Sequence, residues 1–325
     1  MAEKYVCYPM KMLPAFKDYI WGGDILSTRY HKPSPYVKTA ESWELSCHPA
    51  GESVISNGTY AGKTLRYYID TLGKQVLGTH CAQFVDFPVL IKLIDANSNL
   101  SIQVHPDDTY ALQQEHAYGK TEMWYIVDCI PGASIVYGFK KDICQKEFRR
   151  RIAENTLLDV LNVVPVNKGD AFMIRSGTIH AIGKGCLIAE IQQNSDVTYR
   201  VYDYGRLGKD GKPRQLHVEK ALQVINLHPV QPQPELQTIQ LDGFTRKTLA
   251  ACAYFTVELL DVKKAAALES TEESFHALTC TDGSVTLQNG THPPLEIIAG
   301  DTVFLPANSG AYTLKGIGNL LLTHL

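Results

Sequence analysis

The sequence predicts a mainly β protein in two parts: a larger domain over residues 1–236 interrupted by helices, and a smaller β domain over 237–325. Three observations carry this reading. Most segments are short runs rich in Val, Ile, Tyr and Phe, closed by Gly, Pro, Asn or Asp, which is the chemistry of strands and turns. The stretch "NLHPVQPQPELQ" (226–237) alternates prolines with polar residues and reads as a linker or a surface strap. A pattern of Gly-Asp turn, apolar strand and small-residue turn occurs on each side of it.

In chain order, a first helix is predicted over 63–78, where Leu65, Tyr68, Ile69, Leu72 and Val76 fall at helical spacing. Strands follow at 87–95 ("FPVLIKLID"), 122–128 ("EMWYIVD") and 134–139 ("SIVYGF"). A second helix is predicted over 142–161, carrying Phe148, Ile152, Leu157, Leu158 and Leu161; its basic run "KEFRRR" (146–151) reads as a solvated face. Strands return at 171–175 ("AFMIR") and 186–192 ("CLIAEIQ"), with a third helix at 217–225 ("HVEKALQVI"). Beyond the linker the chain reads as strands again, among them "YFTVELLDV", "TVFLP" and "LLLTHL". The repeat copies are "VNKGDAFMIRSGTIHAIG" (166–183) and "IIAGDTVFLPANSGAYTL" (297–314). Counted from Gly169 and Gly300, His180 of the first copy meets Ala311 of the second, so the C-terminal domain is expected to be metal-free.

Composition narrows the function. A chain of 325 residues, 45% hydrophobic and 20% charged with a net charge of −3, is ordinary for a soluble globular protein. No basic face or tail points to a nucleic-acid or membrane partner. Eight scattered cysteines without a Cys-x-x-Cys pair argue against thiolate zinc and against a disulfide scaffold. With no signal-peptide core and no run approaching a membrane span, a cytoplasmic location is expected.

The polar residues at strand ends carry the chemistry. In "SIQVHPDDTY" (101–110), Gln103 and His105 are two apart and share one face of a strand that Pro106 can end. Glu122 follows His105 by seventeen residues, and His180 lies in "RSGTIHAIG". Two imidazoles, a carboxylate and an amide oxygen suit zinc or another divalent first-row metal. Gly169 is followed after five residues by Arg175-Ser176-Gly177, and after two more by His180.

That set resembles the two motifs of the cupin superfamily, with Gln103 at the first histidine position and Arg175 where proline is usual. The resemblance implies an antiparallel double-stranded β-helix of jelly-roll type, with a second, smaller cupin-like domain. "LIKLIDANSNLSIQVHPDD", "GKTEMWYIVD", "SGTIHAIG" and "AEIQQNSDVTYRVYDYGR", with "IWGG" and "AESWELS", look like the short bacterial form of the type I mannose-6-phosphate isomerase family. By position this implies one zinc ion per chain on Gln103, His105, Glu122 and His180. It implies Lys120 in substrate binding and catalysis, Arg200 in the active site, and Glu190 in proton transfer. Thr121 stands where longer forms carry proline, and "VTYRVYDYGR" departs from them after the arginine.

The chemistry agrees with that family. Interconverting an aldose and a ketose phosphate moves a proton between C1 and C2 through an enediol. It needs a base, charge stabilisation for the oxygens, and a phosphate anchor. A divalent cation polarises the carbonyl, and Arg200 adds a fixed charge. Lys120 is the leading phosphate anchor, with Ser101 and Lys92 added. Glu190, Asp107 and Asp108 are the candidate bases. Structural readings stand beside these: Arg200 paired with Asp196 or Asp203, Lys120 as a solvated turn lysine, and Asp107 and Asp108 as helix caps. The competing functions are an iron-dependent oxygenase or a cupin-type phosphoglucose isomerase, and a non-catalytic sugar-phosphate sensor. The expected partner is a small sugar phosphate, acted on by a monomer or weak homodimer.

Overall fold

A computed structural model of the chain describes residues 7–232 and 237–325; residues 233–236 of the expected linker lie outside the described residues. The architecture is three antiparallel sheets of ten, six and five strands. The fold class read from the sequence, mainly β with helical insertions, is what forms.

The six-stranded sheet runs in the order Ala171–Ile174, Glu122–Cys129, Cys186–Gln193, Val89–Ala96, Glu41–Leu45, Ala15–Lys17. The five-stranded sheet runs Tyr199–Tyr202, Ile102–Val104, His180–Ile182, Ser134–Phe139, Leu161–Pro165. Ile94, Trp124, Ile126 and Ile188 of the first sheet and Ile135 and Ile182 of the second fill one apolar cluster between them. The alternate residues Ile91, Leu93, Met123, Tyr125, Ala189 and Ile191 face the other way, into a second cluster shared with the C-terminal part. Strands Val89–Ala96 and Cys186–Gln193 are therefore buried along their whole length. That is why their sequences are nearly unbroken apolar runs and not alternating ones.

The helices cover the outside. Leu65–Leu72 is capped by Thr64, whose side chain accepts from Tyr67 N, and Gly73 at φ 85° ends it. The remainder of the predicted 63–78 segment becomes a 3₁₀ turn, Lys74–Leu77. Gln145–Ala153 is likewise shorter than predicted, because Asn155 adopts φ 58° before the 3₁₀ turn Leu157–Val160. Phe148 and Leu157 still reach the same cluster behind the five-stranded sheet, joined by Ala221 and Leu222 of helix Val218–Val224. Among the described residues no helix is long and apolar enough to cross a membrane.

The internal repeat is real in three dimensions. Gly169 and Gly300 have φ of 95° and 96°. The side chains of Asp170 and Asp301 accept from Asn167 N and Ile298 N at 2.8 and 2.9 Å, closing the same turn. The following strands pair alike, Ile174 opposite Glu122 and Leu305 opposite His276. The chain also crosses between the parts: Met10–Leu13 pairs with Thr302–Leu305, Met10 opposite Phe304. Phe87 packs against Phe275 and Phe304 where the two meet, with ring centroids 5.3 and 6.3 Å away.

Phe304 is fully buried at this junction. Phe304→Ala should therefore cost about 3–5 kcal/mol. Urea unfolding monitored by tryptophan fluorescence checks this: the midpoint should fall sharply, while substitution of the exposed Val37 should leave it in place.

Candidate active site

The expected metal donors converge. His105 Nε2 lies 3.6 Å from Glu122 Oε2, and His180 Nε2 lies 3.3 Å from Glu122 Oε1. Donor atoms of the three residues all fall within 4.8 Å of one another. Each comes from a different strand end. His105 follows Ile102–Val104, Glu122 opens Glu122–Cys129, and His180 opens His180–Ile182. Gln103 sits opposite His180 in the register of their strands and lines the adjoining cleft.

Three observations test whether these residues fit a cation. His105 Nε2, His180 Nε2 and both oxygens of Glu122 are buried with no hydrogen-bond partner. The other imidazole nitrogens are committed: His105 Nδ1 donates to Val197 O at 2.8 Å and His180 Nδ1 to Thr178 O at 2.9 Å. A carbonyl only accepts, so both rings carry their proton on Nδ1 and turn the Nε2 lone pair to the shared space. Burial also depresses both imidazole pKa values, that of His180 to about 4, which keeps the rings neutral as ligands must be. For Glu122, burial and then the nearby Glu190 charge raise the carboxyl to about 8. The pocket thus holds a carboxyl group whose charged form the neighbouring lysines do not fully offset, and a divalent cation fits it.

Beside the donors opens a cleft of ≈ 330 Å³. Lys120 Nζ lies 3.5 Å from Glu122 Oε2 and is buried, so it is no solvated turn lysine. Lys92 donates to Glu190 Oε1 at 3.0 Å, while Trp124 Nε1 donates to Glu190 Oε2 at 2.8 Å. Burial opposes charge on both partners. Glu190 and Glu41 nevertheless hold the Lys92 pKa above its ordinary value, and Lys92 with Lys120 pulls Glu190 down to about 2. This is a fixed buried ion pair.

The cleft wall beside Gln103 is cationic. Arg200 lies opposite Gln103 in the sheet, and its Nε donates to Ser101 Oγ at 3.1 Å. Arg214 and His217 line the same wall. Asp203 accepts from Arg214 and Arg206, and Asp196 lies 3.6 Å from His48, so neither pairs with Arg200. Burial, then Arg214, lower the Arg200 pKa from its ordinary value, an environment that an anion would relieve. Asp107 caps helix Asp108–Gln114 through Tyr110 N, and Asp108 accepts from Gly119 N, Gln193 Nε2 and Tyr254 OH. Neither aspartate lines the cleft: Asp107 caps the helix, and Asp108 ties the helix start to Gly119, Gln193 and Tyr254.

Sequence reasoning missed Arg214, His217, Glu41 and Trp43, all in the cleft wall. Glu41 and Trp43 lie in "AESWELS", where Trp43 Nε1 donates to Glu41 Oε2 at 2.6 Å. Arg214 sits in an irregular basic segment after Arg200, and His217 at the start of the predicted 217–225 helix, where nothing in the pattern marks it as a cleft residue.

Comparison with known proteins agrees with this geometry. A family model described as phosphomannose isomerase type I, catalytic domain, matches residues 10–126, and one described as mannose-6-phosphate isomerase, cupin domain, matches 245–325. Mannose-6-phosphate isomerase ManA of Bacillus subtilis is 36% identical, over 98% of this chain and 99% of its own. The enzyme of the same name from Streptococcus mutans is 40% identical, over 73% of this chain and 74% of its own. The crystal structure of mannose 6-phosphate isomerase from Bacillus subtilis superposes with a TM-score of 0.92 at 37% identity, covering 98% and 99% of the two chains. A mannose 6-phosphate isomerase solved with zinc and yttrium shares the fold, with a TM-score of 0.75 at 18% identity over 97% of this chain and 99% of its own. The chain belongs to the type I phosphomannose isomerase family and is an isomerase of cupin fold.

Removing a donor should empty the site. His105→Ala is expected to lose bound metal, read by elemental analysis, and to lower the melting temperature of metal-loaded protein towards that of chelated protein. The metal-free protein should also depend on pH in a defined sense. A carboxyl raised to about 8 from its ordinary 4.5 stabilises the fold fully below 4.5 and loses that contribution as pH rises through 8. The depressed imidazoles act oppositely: their contribution is present above 6.5 and is lost as pH falls towards 4. Between pH 6.5 and 8 only Glu122 changes. The chelated protein should melt at falling temperatures across that window, and Glu122→Gln should flatten the curve.

Proposed function

We propose that this member of the family interconverts mannose 6-phosphate and fructose 6-phosphate, with one zinc ion held by Gln103, His105, Glu122 and His180. The observation that carries the reading is the set of buried, unpartnered donors beside a cleft whose wall holds Arg200, which has no ion-pair partner among the described residues. An N/O donor set of two imidazoles, a carboxylate and an amide is zinc chemistry. When bound, the cation would polarise the sugar carbonyl and stabilise charge on the C1 and C2 oxygens.

The residues divide the substrate between them. The phosphate dianion belongs at Arg200, with Ser101 orienting the guanidinium and Arg214 and His217 adding donors. Sequence reasoning favoured Lys120 as that anchor. Its ammonium, 3.5 Å from a metal donor, belongs instead with the reacting oxygens. On the path through an enediol, Lys120 Nζ would give a proton to one of those oxygens as charge develops there and take one from the other. Glu190 is poorly suited to that task, because Lys92 and Trp124 occupy both its oxygens and a pKa near 2 makes it a weak base. Its role is to hold Lys92 and Trp124 in the cleft wall.

The test is turnover of mannose 6-phosphate by protein as purified, after chelation, and after zinc is restored, with glucose 6-phosphate as control. Zinc-rescued formation of fructose 6-phosphate is expected; zinc-replete protein without turnover refutes the reading. Two variants separate the roles. Arg200→Ala should act mainly by raising KM, whereas Lys120→Met should lower kcat by roughly 10²–10⁴-fold with KM little changed.

A further inference from the structure

Away from the cleft, two thiols face each other across the six-stranded sheet. Cys129 ends the strand Glu122–Cys129, Cys186 opens the strand Cys186–Gln193, and the two are directly opposite in register. Beside them Ile130 N donates to Gly185 O at 3.0 Å. Directly opposite residues of an antiparallel pair have Cα atoms about 4.5–5.5 Å apart and side chains on one face. Both side chains join the same apolar cluster between the sheets, Cys186 buried and Cys129 half-buried. Cys129 Sγ also contacts Val166 O at 3.5 Å. The Cα spacing of such a pair lies within the roughly 4.4–6.8 Å that a disulfide spans.

We propose that Cys129 and Cys186 form a reversible dithiol–disulfide modification site whose co-reactant is a low-molecular-weight disulfide. Cys129, the more exposed thiol, loses its proton to solvent, and its sulfur attacks one sulfur of the reagent. The reagent S–S bond breaks, and the departing thiolate takes up a proton. Cys186 sulfur then attacks Cys129 sulfur, the second thiolate leaves, and it takes the Cys186 proton. Two protein thiols and one reagent disulfide become one protein disulfide and two small thiols. Burial holds both thiols above their ordinary pKa, Cys186 to about 12, so exchange is slow near neutrality and quickens as the thiolate fraction grows. Glu122 and Gln192 lie at the other ends of the same two strands, so the cross-link leaves the metal donors in register.

The test uses metal-loaded protein carrying Cys144→Ser, which removes an exposed thiol. It is incubated with oxidised glutathione at alkaline pH, alkylated, and mapped by mass spectrometry without reduction. Expected are a peptide pair linking Cys129 to Cys186, its reversal by dithiothreitol, and its absence from Cys129→Ser. Cys186→Ala should instead accumulate the mixed disulfide at Cys129. Glutathione adducts that persist on native Cys129 without resolving, a link that forms only in urea, or links between other cysteines overturn the proposal.

Discussion

Burying His105 Nε2, His180 Nε2 and both oxygens of Glu122 together, with no hydrogen bond to any of them, costs at least several kcal/mol unless a cation takes their place in the balance. Much of the surrounding structure serves to keep those atoms where they are. Carbonyls of Val197 and Thr178 fix the tautomer and tilt of the two rings, which is how proteins orient imidazole ligands. Glu122 is held by strands on both sides, opposite Ile174 on one and Gln192 on the other. The rigidity of the site is therefore the rigidity of the sheet.

Electrostatics in the cleft follow from the same burial. Lys92, Glu190, Lys120 and Glu122 are all nearly inaccessible to water, so each charge is legible to the others. Lys92 and Glu190 settle into a bonded pair closed by the indole of Trp124. Glu122 is left short of positive charge, and Arg200, opposite Gln103 in the neighbouring sheet, short of negative charge. On the proposed reading a divalent cation and the phosphate of a sugar would meet those two demands.

The second barrel shows what the scaffold does without this arrangement. Its Gly-Asp turn and following strand repeat those of the first. His276, though, stands where the first barrel has Glu122, and Ala311 stands where it has His180. His276 Nδ1 pairs with Tyr312 OH at 2.8 Å, and His324 Nε2 lies 3.3 Å from Glu258, which also accepts from Arg246. His276, His324 and Glu258 thus have partners, whereas His105 Nε2, His180 Nε2 and the Glu122 oxygens have no hydrogen bond.

The sequence by itself carried the strands, the turns and the candidate donors His105, Glu122 and His180, which the fold brings together. Apolar runs bounded by Gly, Pro and Asp are local signals, and so is the spacing Gln103-x-His105-Pro106 that ends a strand with two side chains on one face. The repeated Gly-Asp turn was legible because a left-handed glycine and an aspartate that bonds three residues back leave a fixed mark within four residues. The tertiary structure alone decided the rest. The Lys92–Glu190 pair, the Val197 carbonyl on His105, the insertion of Met10–Leu13 into the C-terminal sheet and the meeting of Cys129 with Cys186 join residues far apart along the chain. Arg214 reaches the cleft from an irregular segment that carries no period, and His217 from the cap of the helix that follows it. Such neighbours are set by strand register across a sheet, and register is a property of the assembled core, which no local stretch of sequence contains.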